Sequence, residues 1–165
     1  MMYSRIFQEF YRINLRYAVI GGIAVNLYGY PRATGDLDIV LELSDSEIAK
    51  FIRVVKNMGM VPRLPVKMED FADANIREEW INEKNMLVFS VYNPQDPLEH
   101  IDIKIAGHED FERLLKQSIK MRVRDFEISV VHIDDLIEMK KQAGRGRDLD
   151  DVKVLEKLRE LSREA

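Results

Sequence analysis

The stretch Gly35-Asp36-Leu37-Asp38-Ile39-Val40-Leu41 follows Val19-Ile20-Gly21-Gly22 at short range, and the two together decide how this chain is read. Successive side chains of an extended strand alternate faces. The alternation therefore predicts a strand on which Asp36 and Asp38 project one way, roughly 6.5 Å apart, while Leu37, Ile39 and Leu41 face a core. Two carboxylates at that spacing can hold a divalent cation. Ahead of them, Val19-Ile20 predicts a strand that breaks at Gly21-Gly22 into a helix. Glycines at such a turn offer unhindered N–H groups and a positive dipole end to a phosphate. Metal and phosphate together point to a nucleoside triphosphate as ligand.

Working outward, the apolar spacing of Ile6, Phe7, Phe10, Tyr11, Ile13 and Leu15 predicts an opening helix, and Tyr17 to Ile20 a short buried strand. Residues 23–28 read as a helix that stops before Pro31, because the residue preceding a proline is biased toward extended conformations. Ser44 reads as an N-cap, with Glu47 completing a capping box for a helix that ends at Gly59. Pro62 and Pro65 argue against long regular structure from 60 to 83, where residues 68–80 read either as a helix or as an excursion over a cleft. Residues 86–92 predict a strand and 94–97 a turn. The alternation His100-Ile101-Asp102-Ile103-Lys104-Ile105 predicts a strand with His100, Asp102 and Lys104 on one face. Residues 110–115 read as a helix, 126–131 as a strand, and the chain from 133 onward as two helices divided at Gly144-Arg145-Gly146. The expected architecture is α/β in the α+β sense, a mixed sheet backed by helices with a C-terminal helical pair over 133–165.

With 165 residues, a single domain is expected, and 46% hydrophobic residues suffice for a core. Cysteine is absent, which excludes disulfides, thiolate metal sites and cysteine nucleophiles. No apolar run approaches membrane-spanning length, so a soluble, cytoplasmic protein without membrane contact is the simplest expectation. The net charge of −4 and a pI near 5.5 give no global field to attract nucleic acid. Any such contact must be local, and Lys140, Lys141, Arg145 and Arg147 form a local basic cluster.

Transfer of a nucleotidyl group needs an acceptor oxygen at the α-phosphorus while pyrophosphate leaves. Two divalent ions, Mg²⁺ or Mn²⁺, roughly 3.5–4 Å apart can stabilise both flanking oxygens, and bridging carboxylates hold such hard ions. Asp36 and Asp38 supply two carboxylates, and Asp102 is the candidate third. Lys104 or Arg32 would neutralise phosphate charge. Each signal alone has a plainer reading: a solvated strand face, a tight turn, or, for Lys140, Arg145, Arg147 and Asp148, a solvated salt-bridge cluster. His100, His108 and His132 read as structural or outer-shell groups, and Trp80 either as a packing residue or as a base-stacking one.

In this order, Ile20-Gly21-Gly22, Asp36-Leu37-Asp38-Ile39 and Ile101-Asp102-Ile103 resemble the signature of the DNA polymerase β-like nucleotidyltransferase superfamily. The segment from Asp135 through Lys140, Arg145 and Asp148 to Asp151 resembles its small bacterial and archaeal members, including abortive-infection-type toxins. The resemblance touches residues 17–42, 99–105 and 133–155. It implies that Asp36, Asp38 and Asp102 bind metal, that Gly21 and Gly22 receive the triphosphate, and that Lys140, with Arg145 nearby, contacts phosphate. The acceptor is left open among a tRNA end, a protein hydroxyl and a small molecule. Action on tRNA would be toxin-like, with an antitoxin-like protein partner elsewhere. A non-catalytic nucleotide- or partner-binding module and a metal-dependent phosphohydrolase are the alternatives.

Overall fold

The computed structural model describes residues 3–107 and 110–165; the reading of His108 falls outside the described residues. Its centre is a mixed sheet of seven strands: β1 (Tyr17–Ile20), β2 (Leu37–Leu41), β3 (Val61–Pro62), β4 (Val88–Asn93), β5 (Asp96–Lys104), β6 (Ile119–Val123) and β7 (Phe126–Val130). They lie side by side in the order β3, β4, β5, β2, β1, β7, β6. β2 runs parallel to β5 and antiparallel to β1, and β1 runs parallel to β7. The helices are α1 (Ser4–Arg12), α2 (Gly21–Leu27), α3 (Asp45–Asn57), α4 (Ala74–Lys84), α5 (Phe111–Gln117), α6 (Ile133–Ala143) and α7 (Gly146–Glu164), with a 3-10 turn at Met68–Ala72.

Alternation divides the sheet. Leu37, Ile39, Leu41, Ile101, Ile103 and Phe89 are buried. Aromatic side chains link this face to the helices over it: Phe10 of α1 meets Tyr17 edge-on at 4.9 Å, and Phe51 of α3 lies between Phe10 and Phe71. Phe71 and Trp80 both stack on Phe89, at 4.4 and 5.7 Å. Trp80 is therefore a packing residue, and residues 68–84 are a 3-10 turn and a helix that bury aromatic area rather than an excursion over a cleft. The opposite face carries Asp38, Asp102 and Ser90 in one row, since Asp38 and Ser90 both oppose Asp102.

Several expectations change in detail. β2 starts at Leu37, which puts Asp36 in the preceding loop, although it still lies on the side expected. Ser44 does cap α3 by accepting from the Glu47 N–H, but Glu47 does not complete the box. Its carboxylate accepts instead from the Arg16 N–H at 2.8 Å and pairs with Lys50 at 2.6 Å. β6 had no counterpart in the sequence reading. It is a hairpin edge joined to β7 through Arg124, whose positive φ of 58° closes the turn.

Candidate active site

Asp38 stands where three elements meet. On β2 it opposes Ile20 of β1 and Asp102 of β5, and Ile20 leads directly into Gly21, the first residue of α2. Gly21 has φ +66°, and a Cβ there would lie 2.1 Å from Asp38 Oδ2. Only glycine meets both demands, the left-handed backbone and the carboxylate against it. At Gly22 a Cβ would lie 2.5 Å from Thr34 Oγ1 and 2.7 Å from the Arg32 guanidinium. The glycine pair is thus the floor of a cavity of about 230 Å³, whose walls carry Arg32, Thr34, Asp36, Asp38, Lys140, Arg145, Arg147 and Asp148.

Tyr3 sets the other edge. Its buried hydroxyl can donate to the Gly35 carbonyl, next to Asp36, and lies 3.0 Å from the His100 carbonyl. Burial first, and the Asp36 charge after it, push the Tyr3 hydroxyl up to about 12, so it stays a neutral donor. The loop before β2 and the strand β5 are tied together there, and the His100 Nε2 lies 2.8 Å from Asp36 Oδ1. Asp102 Oδ1 accepts from Ser90 Oγ at 2.6 Å.

The electrostatics oppose one another across the cavity. Burial, then the charges of Asp102 and Asp36, push the Asp38 carboxyl from 3.8 up to about 7, with Lys140 and His100 pulling the other way. Carboxylates crowded in this way are costly without a cation between them, which is the condition a divalent ion relieves. Asp36, His100 and Asp102 each offer a ligand atom within 4.8 Å of the others, and Asp38 stands beside Asp102 with its Oδ2 turned toward Gly21. Two carboxylates and one imidazole form a donor set that can take a divalent cation, with the carboxylate oxygens suited to a hard ion and the His100 nitrogen to a softer one.

The cationic wall is itself braced. Lys140 is buried with its ammonium 3.1 Å from Asp148 and 2.9 Å from Asp151. Asp151 also holds Arg32 at 3.0 Å, and Asp148 holds Arg145 at 2.7 Å. Burial raises Asp148, but hydrogen bonds from Arg145 and Lys140 outweigh it and keep the carboxyl below its ordinary value. The chain Arg32–Asp151–Lys140–Asp148–Arg145 joins α6 and α7 to the loop before β2, and burial of Lys140, Asp148 and Asp151 sets it apart from a solvated cluster, the plainer of the two sequence readings. Lys141, by contrast, points away to a half-exposed pair with Glu156.

No family model matches the sequence, and no curated protein matches it. The structure is similar to that of the lincosamide antibiotic adenylyltransferase LnuA bound to lincomycin, with a TM-score of 0.62 at 15% identity over 93% of this chain and 94% of that one. It is also similar to an antigenic nucleotidyltransferase-like protein from Paracoccidioides brasiliensis, with a TM-score of 0.57 at 14% identity over 93% of this chain and 73% of that one. The chain has the nucleotidyltransferase fold.

Of the residues singled out in the sequence, this fold brings Gly21, Gly22, Arg32, Asp36, Asp38, Lys140 and Arg145 to one cavity, with Asp102 beside Asp38. Lys104 does not line it. Two residues farther along β5 than Asp102, its ammonium lies 4.0 Å from where a Cβ on Gly107 would be. His132 is the N-cap of α6, with Nδ1 accepting from the Asp134 N–H at 3.3 Å. Thr34 and Ser90 carry no signal in the sequence, while Asp148 and Asp151 enter only through the resembling C-terminal segment, without a role of their own. The i, i+3 spacing of Asp148 and Asp151 on a helix following Lys140 was the available signal for the brace.

Proposed function

We propose that this protein is a metal-dependent nucleotidyltransferase that moves a nucleoside monophosphate from a triphosphate to an acceptor hydroxyl. The observation that carries the reading is a wall of cations facing a row of crowded carboxylates across the Gly21–Gly22 floor. A triphosphate needs the cations and a divalent ion needs the carboxylates. The shared fold with an adenylyltransferase supports the same class of reaction.

Asp36, Asp38 and Asp102 would hold Mg²⁺ or Mn²⁺, expected as two ions, which when bound neutralise charge on the attacking and leaving oxygens. The protein's own groups do the rest. Backbone N–H groups at Gly21 and Gly22 take the β- and γ-phosphates, while Arg32 and Arg145 reach them from positions fixed by Asp151 and Asp148. Lys140, held between the same two aspartates, sets the positive potential of that wall. The acceptor oxygen forms a bond to the α-phosphorus as the bond to the α,β-bridging oxygen breaks. Pyrophosphate leaves, and the hydroxyl proton passes to the Asp102 carboxylate, whose other oxygen is engaged by Ser90.

The test is incubation with each α-labelled nucleoside triphosphate and Mg²⁺, with deacylated tRNA, a protein substrate or small hydroxyl compounds as acceptors. Stoichiometric pyrophosphate and labelled acceptor, abolished in a folded Asp102→Asn protein, are expected. Monophosphate formed without any acceptor would assign a phosphohydrolase instead, and triphosphate bound but never turned over would assign a binding module.

A further inference from the structure

The site face of the sheet continues past the carboxylates, away from the glycine pair. In the row beyond Asp38, Asp102 and Ser90, the Arg63 N–H bonds the Ser90 carbonyl at 2.9 Å. In the adjacent row His100 opposes Tyr92, and Tyr92 opposes Val61 of β3. A second cavity of about 280 Å³ opens on this stretch, lined by Arg63, Tyr92, Pro97 and His100. His100 stands between the two spaces, since its Nε2 touches Asp36 in the first while the residue lines the second.

We infer that this second cavity receives the acceptor of the proposed transfer, and that the acceptor is a small hydroxyl compound carrying a planar ring and an anionic group. The inference rests on the nucleotidyltransferase reading and names the substrate class for it. Position comes first. A molecule seated over Tyr92 and His100 places a hydroxyl toward Asp36 and Asp102 from the side opposite the triphosphate cavity, as in-line displacement requires. The chemistry of the walls follows. Tyr92 is half-buried and offers a ring for stacking. Arg63 is exposed and, among the described residues, forms no ion pair, unlike Arg32 and Arg145, so its guanidinium is free to take a phosphate or carboxylate.

Size and charge favour a small molecule over a nucleic acid strand. The volume suits one substituted ring, below the usual range of drug-sized pockets. A strand needs a succession of cations along its backbone, whereas a single arginine lines this cavity and the chain carries a net charge of −4.

The experiment follows backbone amide shifts in ¹⁵N-labelled full-length protein. The Mg²⁺ complexes of α,β-methylene triphosphate analogues are added first, then phenyl phosphate. Movement of Gly21 and Gly22 with an analogue reads the donor site alone. Phenyl phosphate should then move Arg63, Tyr92 and His100 saturably, and Arg63→Ala, at an exposed side chain, should weaken it about tenfold while leaving the analogue's affinity unchanged. Cyclohexyl phosphate should bind more weakly than phenyl phosphate. An analogue that binds while phenyl phosphate leaves those three amides still overturns the acceptor cavity and leaves the transfer reading standing. Failure of every analogue to move Gly21 and Gly22 overturns the transfer reading, and the acceptor assignment with it. A single-stranded trinucleotide that moves the same amides at lower concentration than phenyl phosphate overturns the small-molecule assignment in favour of RNA.

Discussion

Asp38 is held at a cost to the fold. Its carboxyl ionises near pH 3.8 in an unfolded chain and near 7 in the folded one, because burial and the neighbouring Asp102 and Asp36 disfavour its charge. The folded state therefore binds more protons between about pH 4 and 7, and stability falls across that window as pH rises. Asp38→Asn removes the ionisation. Thermal unfolding without metal should show the variant more stable than the wild type at pH 8, by roughly 1–4 kcal/mol, with a smaller difference at pH 4. A variant that is less stable at pH 8 would mean the carboxylate is satisfied in a way this site does not provide. Gly21→Ala should act in the other direction, costing about 1–3 kcal/mol from its positive φ and displacing the Asp38 carboxylate, with metal-dependent triphosphate binding lost altogether. Both residues were legible in the sequence because period-two alternation and a glycine pair are local signals. The closeness of Gly21 to Asp38 was not, since it depends on the pairing of β1 with β2.

Helices α6 and α7 show why some residues hide from sequence reading. Lys140 and Lys141 are adjacent and chemically identical, yet one is buried between two aspartates and the other pairs at the surface. Only the direction in which α7 packs back on α6 distinguishes them. Lys140→Met would leave Asp148 and Asp151 with one cationic partner each, Arg145 and Arg32, in a buried setting. Chemical denaturation should register a loss of about 3–5 kcal/mol for Lys140→Met, against less than about 1 kcal/mol for Lys141→Met. Equal losses would contradict the brace. The missed strand β6 teaches the same lesson from the other side. Ile119, Met121 and Val123 alternate correctly with Lys120 and Arg122, but as a short hairpin edge they are only partly buried and carry little apolar contrast.

At the scale of the molecule, the carboxylates are assembled by topology. Parallel pairing of β2 with β5 brings Asp38 level with Asp102 from far along the chain, and the aromatic contacts from Phe10 to Phe89 and Trp80 fix the sheet from its other face. The mixed sheet, its helical backing and the C-terminal pair could be read from pattern, while strand order, and with it Ser90, Tyr92 and Arg63 as neighbours of the carboxylates, could not. One consequence spans the whole fold: a cation that neutralises Asp36, Asp38 and Asp102 stabilises the native state by linkage. On the proposal that Asp38 helps to hold the cation, its raised carboxyl must lose a proton as Mg²⁺ binds, so Mg²⁺ should raise the melting temperature more at pH 8 than at pH 6. A shift equal at both values would remove Asp38 from the metal site.

The most direct test is calorimetric titration of ATP, GTP, CTP and UTP into the protein with and without Mg²⁺, beside a folded Asp36→Asn/Asp38→Asn variant. Binding of at least one triphosphate that requires Mg²⁺ and disappears in the variant is the predicted result. No binding of any triphosphate at millimolar concentration, or binding undiminished in the variant, would contradict the account.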